Sequence, residues 1–266
     1  MNDTIPIGVF DSGVGGLTVV KSLVQQMPRE NFICFGDTAH IPYGNKSRAE
    51  LFKYAQDIIA FLLEQDVKAI LVACGTHSSI TLPEMESSCP VPLLGVVKPG
   101  ARSAISASRN GRIGIIATQA SVNSGTYSKY IVEMDDSTRV FTMACPRFVQ
   151  LVESGQLAGR EVDEAVHEYI APLMDAGIDT LVMGCTHYPF LEDTFKRYIG
   201  PDVTLVDPAL ETITELSMIL ADNNIVSQAV RGNGKFFVSG NDQSFYKVGP
   251  LLLGDLIKKV DKISLD

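Results

Sequence analysis

Short apolar runs alternate with longer amphipathic stretches along the chain. The runs are rich in β-branched residues, which is typical of strands buried on both faces of a parallel sheet. We predict such strands at residues 5–10, 32–35, 69–73, 112–117, 140–143, 180–183 and 203–206. The longer stretches place apolar residues every three or four positions and predict helices at residues 17–27, 49–64, 122–134, 161–175 and 191–198. This alternation predicts an α/β fold whose doubly wound parallel sheets carry helices on both faces.

Two segments in the first half of the chain resemble two segments in the second half, in the same order. Residues 7–12 resemble 113–118, and residues 67–74 resemble 178–185. Both members of the second pair end on a cysteine that is followed closely by Thr-His. We therefore predict two similar α/β halves that face each other across a cleft with pseudo-twofold symmetry. Because ligands bind at the carboxyl ends of such strands, the strand ends of both halves should line this cleft.

Composition and charge narrow the range of partners. The chain of 266 residues has a net charge of −9 at pH 7, and its 22 lysines and arginines are scattered. A protein that binds nucleic acid would carry a basic surface, so we predict no nucleic-acid partner. The first residues do not resemble a secretion signal, and no apolar run approaches the ~20 residues of a membrane span. We therefore predict a cytoplasmic protein with no membrane partner.

The cysteines indicate reactive thiols rather than disulfides. In a reducing compartment, five cysteines without a C-x-x-C pair should be free. Cys74 and Cys185 each follow a predicted strand and precede a helix start, where positive potential favours a thiolate. Asp11 and His187 could assist proton transfer at these thiols. One thiol could remove a proton from one face of a carbon while the other protonates the opposite face. This inverts a stereocentre and requires no metal or cofactor.

Two loops could hold a substrate. The glycine-rich segment 11–17 joins a strand to a helix, so its backbone amides can approach an anion. It matches neither G-x-G-x-x-G nor the Walker A pattern, and we therefore favour a carboxylate, held by Ser12 and the amides, over a nucleotide. The turn Pro42-Tyr43-Gly44 is either a simple surface turn or a loop over the cleft that offers a hydroxyl or backbone amides.

Zinc binding is an alternative use of the two cysteines. Cys74 with His77, and Cys185 with His187, supply two thiols and two imidazoles, a set that zinc accepts. A single residue separates Cys185 from His187, however, which makes joint ligation of one ion awkward. We therefore predict that no metal is bound.

Four motifs of the chain together resemble a known family. They are Asp11-Ser12-Gly13-Val14-Gly15-Gly16-Leu17, Pro42-Tyr43-Gly44, Ala144-Cys145-Pro146-Arg147-Phe148 and Gly184-Cys185-Thr186-His187-Tyr188-Pro189. The resemblance is to glutamate racemase, of the aspartate/glutamate racemase superfamily, and runs from about residue 7 to about residue 220. It implies cofactor-independent interconversion of L- and D-glutamate, which supplies D-glutamate for bacterial cell walls.

The resemblance also implies a domain division. In this family the C-terminus returns to the first of two facing α/β halves. We accordingly expect one half to comprise residues 1–98 and 208–266, and the other residues 99–207. Glutamate is the expected small-molecule partner. A homodimer is a further possibility.

Roles for individual residues follow from the same resemblance. Cys74 and Cys185 correspond to the paired acid/base thiols of the family. Asp11, His187 and Glu153 correspond to acidic or basic groups that assist them. The implied substrate-binding residues are Asp11, Ser12, Pro42, Tyr43, Gly44, Gly75, Thr76, Thr118, Thr186 and His187.

The loop after the first thiol departs from the family pattern. The family usually reads Cys-Asn-Thr-Ala, whereas this chain reads Cys74-Gly75-Thr76-His77. Loss of the carboxamide removes a hydrogen bond to a charged substrate, at a cost of about 1.5–3 kcal/mol. His77 could replace that contact, pair with the Cys74 thiolate as an imidazolium, or obstruct the site. We expect Gly75→Asn combined with His77→Ala to raise turnover. A second departure from the family pattern, Gln150 where Pro is commoner, should have little effect on turnover.

Three other functions stay open on the sequence alone. The chain could racemise another amino acid, or it could be an inactive paralogue that only binds a small amino acid. It could also be a hydrolase or decarboxylase that uses one thiol as a nucleophile. A racemase needs both thiols, a hydrolase or decarboxylase needs one, and a binding protein needs neither.

Overall fold

The computed structural model describes residues 5–265, whose strands form two parallel sheets. The strands are β1 Ile7–Asp11, β2 Phe32–Gly36, β3 Ala69–Val72, β4 Leu93–Gly95, β5 Arg112–Ala117, β6 Arg139–Ala144, β7 Thr180–Met183, β8 Thr204–Val206, β9 Gly234–Val238 and β10 Val260–Lys262. The first sheet has the strand order β10-β9-β2-β1-β3-β4, and the second has the order β6-β5-β7-β8. Every neighbouring pair is parallel. The predicted α/β class and all seven predicted strands are thereby confirmed.

Helices pack on these sheets, as the amphipathic stretches predict. They are α1 Leu17–Gln26, α2 Arg48–Glu64, α3 Gly75–Ile80, α4 Leu82–Met85, α5 Val97–Ala107, α6 Gln119–Ser124, α7 Thr126–Met134, α8 Pro146–Glu153, α9 Arg160–Asp175, α10 Glu192–Ile199, α11 Pro208–Asp222, α12 Gln243–Lys247 and α13 Gly249–Leu253. The helix predicted at 122–134 is divided into α6 and α7 by Gly125, whose φ of 66° is left-handed. None of the helices that residues 5–265 form has the length and apolar character needed to cross a membrane.

Three strands of the first sheet were not predicted from the sequence. β4 and β10 have three residues each and lie at the two edges of the sheet, while β9 lies next to β10. Edge strands need not be apolar on both faces. The three strands also contain residues that interrupt an apolar run: a glycine in β4, glycine and lysine in β9, and aspartate and lysine in β10. A continuous apolar run, the sequence signal of a buried strand, is therefore absent or too short at all three strands.

The chain leaves the first sheet after β4 and returns to it after β8. The helices at the two crossings, α5 and α11, pack against each other. Gly100 makes this approach close, because a Cβ there would lie 2.9 Å from Cβ of Pro208. The domain division at 98/99 and 207/208 stays a prediction. Residues 1–4 and 266, which it assigns to the first half, lie outside the described residues.

An aromatic cluster fixes α8, the helix that carries Glu153. Phe148 is fully buried, and the centroid of its ring lies 5.2–5.3 Å from those of Tyr169, Tyr188 and Phe195. The rings meet edge to face, and each such pair contributes about 0.5–1.5 kcal/mol beyond the burial of its surface. The cluster thus holds α8 against the segment that follows Cys185.

Replacing Phe148 with Ala is expected to lower the free energy of unfolding by about 3–5 kcal/mol, because the cavity left among three rigid rings cannot collapse fully. Urea titration of the wild type and the variant measures this loss. Leu251→Ala is the control, since Leu251 is 67% exposed and should change stability by no more than about 0.5 kcal/mol. A loss at Phe148 as small as that of the control would contradict the structural role of the cluster.

Candidate active site

The carboxyl ends of β1, β3, β5 and β7 converge on one cavity. Its lining comprises Ser12, Pro42, Tyr43, Gly44, Asn45, Cys74, Gly75, Thr76, Thr118, Gln119, Cys145, Pro146, Val149, Gln150, Cys185, Thr186 and His187. The set contains every predicted site residue except Asp11 and Glu153. These two lie behind the wall and hydrogen-bond to Thr186 and His187, which line it.

A larger and more open groove lies beside α1 and α13, with about 1240 Å³ of empty space. It is lined by charged residues such as Lys21, Arg231 and Asp255 and by leucines, but by no cysteine or histidine. The smaller cavity brings together two thiols, an imidazole and several hydroxyls. We therefore place the candidate active site there.

Cys74 lies directly after β3 and immediately before α3. It is almost fully buried, and burial raises the pKa of its thiol; the nearby charge of Asp11 raises it further. The backbone N–H groups of His77 and Thr76 hydrogen-bond to the sulfur and lower this pKa only in part. The expectation that the helix start would favour a thiolate is therefore wrong for the free protein at Cys74, because desolvation outweighs the helix start.

Asp11 ends β1 and joins the two halves of the cavity. Its Oδ2 accepts hydrogen bonds from the backbone N–H groups of Gly13 at 3.2 Å and Gly16 at 2.9 Å. The hydroxyl of Thr186, from the other half, lies 3.1 Å from Oδ1 and 3.3 Å from Oδ2. Burial raises the pKa of Asp11, although His187 and these hydrogen bonds oppose the rise. The glycine loop thus serves to hold this carboxyl group next to the cavity.

Cys185, His187 and Glu153 form a hydrogen-bonded chain on the second wall. Nδ1 of His187 lies 3.7 Å from Sγ of Cys185, and Nε2 lies 2.7 Å from Oε1 of Glu153. Oε1 of Glu153 also accepts a hydrogen bond from the backbone N–H of Val14 at 3.2 Å. This chain gives the second thiol an imidazole that a carboxylate orients.

The ionisation of this chain follows from its contacts. Burial lowers the pKa of His187, but hydrogen bonds and charges from Cys185 and Glu153 outweigh burial and raise it well above its usual value. Burial raises the pKa of Glu153, and the interactions with His187, Ser244 and Val14 bring it below its usual value. His187 is therefore an imidazolium paired with a carboxylate at neutral pH.

Hydroxyl groups from both halves meet at the cavity wall. The hydroxyls of Thr76, in α3, and Thr118, which caps α6, lie 3.0 Å apart. Ser12 and Thr186 contribute two more from the ends of β1 and β7. The described residues that line the cavity include no lysine or arginine. A carboxylate bound here would be held by hydroxyls and backbone N–H groups.

The turn Pro42-Tyr43-Gly44 lies over the cavity, as one of its two interpretations predicted. The hydroxyl of Tyr43, however, donates a hydrogen bond to Asp37. Asp37 also accepts one from Ser239 at 2.6 Å, which ties the turn to the C-terminal segment. Since the Tyr43 hydroxyl is engaged by Asp37, we expect the turn to offer backbone groups rather than this hydroxyl to a ligand.

His77 does not line the cavity. Its ring is fully buried against Phe10 and Tyr43, with centroid distances of 5.4 and 4.8 Å, and Nδ1 lies 3.1 Å from Oγ1 of Thr81. Burial lowers the pKa of His77 to about 3, so the ring is neutral at neutral pH. The structure therefore contradicts all three roles considered for His77: an imidazolium paired with Cys74, a contact to the substrate, and an obstruction of the site. His77 packs behind the first wall.

Gly75 has no space for a side chain. A Cβ built there would lie 2.2 Å from the carbonyl oxygen of Gly184, in the opposite half. An asparagine would have to move backbone rather than a flexible side chain. The geometry therefore argues against the gain in turnover expected from Gly75→Asn with His77→Ala.

Several lining residues were not predicted from the sequence. Asn45, Gln119 and Gln150 place three carboxamides around the cavity, and Cys145 adds a third thiol. Cys145 belongs to a motif that carried the resemblance and immediately precedes α8, whose Pro146, Val149 and Gln150 line the cavity at the i, i+3, i+4 spacing of one helix face. Within residues 5–265, no three or more His, Cys, Asp and Glu side chains are grouped as a metal ion would require.

Comparison with known proteins agrees with the motifs. The family model described as Asp/Glu/Hydantoin racemase matches residues 7–216. The chain therefore belongs to the Asp/Glu/hydantoin racemase family, a class of amino-acid racemases with two similar α/β domains.

Relatives that are similar over the whole chain are glutamate racemases. The glutamate racemase of Desulforudis audaxviator is 43% identical, with 97% of each chain covered. A solved glutamate racemase from Bacillus anthracis has a TM-score of 0.93 and 36% identity, covering 99% of this chain and 98% of its own. A solved glutamate racemase from Francisella tularensis, in complex with D-glutamate, has a TM-score of 0.92 and 36% identity. The match covers 100% of this chain and 99% of that chain.

Proposed function

We propose that this chain interconverts L- and D-glutamate without a cofactor and supplies D-glutamate for peptidoglycan synthesis. One observation carries the proposal: two buried thiols, at equivalent positions of two similar halves, line a single cavity. Cys74 is backed by Asp11, and Cys185 by His187 and Glu153. A hydrolase or decarboxylase with one nucleophile would not need the second thiol and its own assisting group.

The chemistry consists of two proton transfers. A thiolate on one wall takes the proton from Cα, and the electron pair of the C–H bond is delocalised into the α-carboxylate. The thiol on the opposite wall then gives its proton to the other face of Cα. The product is the mirror-image amino acid, one thiol and one thiolate in exchanged positions. Asp11 and His187 are placed to return the protons to their starting positions.

The substrate proposal depends on the lining and on the relatives. Hydroxyls of Ser12, Thr76, Thr118 and Thr186 converge from both halves and suit the two carboxylates of glutamate. His187, the cationic group of the lining, is already paired with Glu153, so the carboxylates would be held by hydrogen bonds rather than by a free cation. The relative from Francisella tularensis holds D-glutamate. Aspartate, which is shorter by one methylene, is the competing substrate.

The test is Cα proton exchange followed by NMR in D₂O, with optical rotation measured in parallel. Purified protein is incubated with L-glutamate or D-glutamate, and with L- and D-aspartate as controls. We expect loss of the Cα proton signal together with loss of rotation for both enantiomers of glutamate. Chelation of metal ions should not change either rate.

The remaining outcomes distinguish the alternatives. Exchange and inversion of aspartate in preference to glutamate would contradict the substrate assignment and indicate a racemase of another amino acid. Absence of exchange with both amino acids, despite binding, would indicate a binding protein. The cytoplasmic location and the homodimer stay proposals, which cell fractionation and light scattering of the purified protein would decide.

A further inference from the structure

Asp37 is a buried carboxylate that does not line the cavity but is bonded to the turn that lies over it. It follows β2 directly, and its side chain is only 4% exposed. Its Oδ2 accepts a hydrogen bond from the hydroxyl of Tyr43, and its Oδ1 accepts one from the hydroxyl of Ser239 at 2.6 Å. Nδ1 of His40 lies 2.9 Å from both carboxylate oxygens. The proposed mechanism gives this carboxylate no task.

The backbone holds Asp37 in place on the first sheet. The N–H of Asp37 donates to the carbonyl of Asp11, at the end of β1, at 2.9 Å. Ser239 is anchored in a similar way, because its N–H donates to the carbonyl of Gly36, the last residue of β2, at 3.1 Å. The carboxylate is thus a fixed point to which the turn is attached through Tyr43.

The turn is a part of the first half that reaches the second half at the cavity. The short 3₁₀ helix Tyr43–Asn45 packs against α6. A Cβ on Gly44 would lie 3.5 Å from Cβ of Thr118, the residue that caps α6. Gly44 and Asn45 both line the cavity. The position of the turn therefore sets how far the cavity is closed.

The hydroxyl of Tyr43 depends on Asp37 for a partner, because Tyr43 is only 3% exposed. A buried hydroxyl without a partner costs free energy, which it recovers when it reaches water. Loss of the carboxylate would therefore shift the turn towards positions in which this hydroxyl is hydrated. Ordering the turn again when a substrate binds would then consume part of the binding free energy.

We propose that Asp37 is a positioning residue, which holds the turn over the cavity through the hydroxyl of Tyr43 and thereby sets the affinity for glutamate. This inference rests on the proposed function. Asp37 acts without touching the substrate and without moving a proton. Cys74 is held independently of the turn, since the N–H of Ser78 donates to its carbonyl at 2.9 Å. The effect of Asp37 should therefore fall on binding rather than on the two proton transfers.

The test compares Asp37→Ala with the wild type. Steady-state kinetics with each enantiomer give KM and kcat, and calorimetry with racemic glutamate, which undergoes no net reaction, gives Kd. We expect KM and Kd to rise about 10-fold, as loss of a hydrogen bond to a charged group would produce, with kcat close to the wild-type value. A smaller amount of folded protein would lower the apparent kcat but leave KM unchanged, so KM reports on positioning rather than on stability.

Tyr43→Phe shows whether Asp37 acts through the Tyr43 hydroxyl. This variant has no hydroxyl to hydrate, so we expect a smaller rise in KM, about 3-fold. Asp37→Ala added to Tyr43→Phe should raise KM no further, because both changes remove the same interaction. Two effects that multiply would overturn the inference. Asp37→Asn, whose amide oxygen can still accept from Tyr43, should restore part of the affinity. Should Asp37→Ala not fold, Tyr43→Phe and Asp37→Asn carry the test.

Asp57→Ala is the matched control. Asp57, in α2, lines a small outer pocket together with Asp37, but its carboxylate pairs with Lys53 at 2.6 Å. Its replacement removes a negative charge from the same pocket and should leave KM, kcat and Kd at the wild-type values. A rise in KM as large as that of Asp37→Ala would show that charge near this pocket, rather than the bond to Tyr43, controls affinity, and would overturn the inference.

The outcomes separate this inference from the function on which it rests. An active wild type, with KM and Kd unchanged in every folded variant at position 37 and in Tyr43→Phe, would overturn the role of Asp37 and leave the function intact. A wild type that binds glutamate without converting it would contradict the proposed function, and Kd would still decide the role of Asp37. A wild type that neither binds nor converts glutamate would overturn both.

Discussion

Cys74→Ala and Cys185→Ala are each expected to lower the rate of glutamate racemisation by about 10⁴-fold in both directions, to the limit of detection. In the proposed mechanism each thiol serves one face of Cα, so neither can substitute for the other. Polarimetry with each enantiomer as the starting substrate measures the loss. Racemisation that persists in either variant would contradict the two-thiol mechanism and favour a single nucleophile.

Exchange of the Cα proton in the same two variants gives a sharper result. A variant that retains one thiol can still deprotonate the enantiomer whose Cα proton faces that thiol. We therefore expect each variant to show residual exchange without inversion for one enantiomer only. The enantiomer that exchanges should differ between the two variants. Exchange that favours the same enantiomer in both variants would show that the thiols do not lie on opposite faces of the substrate.

Cys89→Ala is the matched control for both thiol variants. Cys89 is a partly exposed free cysteine that packs at the edge of the first half, away from the cavity. Its replacement removes a thiol of the same kind and should leave both exchange and inversion at the wild-type rate. A large loss in this control would mean that thiol removal acts through the fold.

The two thiols lie in opposite electrostatic surroundings, which the sequence could indicate only in outline. Asp11 lies on the side of Cys74 and raises the pKa of that thiol, in addition to burial. His187, as an imidazolium, lies 3.7 Å from the sulfur of Cys185. The two thiols therefore meet the substrate in different surroundings: burial and the charge of Asp11 act on Cys74, whereas an imidazolium lies beside Cys185.

The sequence predicted the fold wherever local pattern and burial agree. β1, β3, β5 and β7 are continuous apolar runs, and the ends of β1, β3 and β7 placed Asp11, Cys74 and Cys185 at the predicted cleft, whereas Thr118 at the end of β5 was reached through the resemblance. β4 and β10 escaped because edge strands are short and need not be apolar on both faces, and β9, next to β10, begins with Gly234-Lys235, which interrupts the apolar run. Glu153 was reached through the resemblance, since nothing in the local pattern of α8 indicates that its carboxylate meets a histidine 34 positions away.

The parts of the site that the sequence could not predict depend on contacts between the halves. Whether His77 faces the cavity is decided by the direction of one side chain in α3, and it packs against Phe10 and Tyr43 instead. The hydroxyl of Tyr43 is likewise engaged by Asp37 from the loop after β2. The closeness of Gly75 to Gly184 is a property of how two separate sheets meet. No local sequence signal carries that information.

Glu153→Gln is expected to lower turnover by about 100-fold at neutral pH, at the lower end of general acid–base effects because Glu153 acts through His187. The amide keeps the shape of the carboxylate and can still accept hydrogen bonds from His187 and from the N–H of Val14. What the substitution removes is the negative charge. Steady-state kinetics with both enantiomers should show the loss in kcat rather than in KM, since Glu153 does not line the cavity.

The pH dependence of this variant follows from the forces on His187. Burial lowers the pKa of His187, and interactions with Cys185 and Glu153 raise it to a net value well above the usual one of about 6.5. Without the charge of Glu153, burial is opposed only by Cys185 and by the charge of Asp11, and the pKa falls. The imidazolium is then lost at a lower pH than in the wild type. We expect the basic limb of the kcat profile to move to lower pH, so the deficit shrinks in acid and grows as pH rises.

The shape of that profile separates an electrostatic role from a structural one. Glu133→Gln is the matched control, because Glu133 is an exposed residue of α7 whose ion pair with Lys129 is solvated; its profile should coincide with that of the wild type. If Glu153→Gln lowered kcat by the same factor at every pH, the carboxylate would act by packing α8 against the wall of the cavity. A deficit that instead depends on pH, with recovery in acid, ties turnover to the charge that Glu153 maintains on His187.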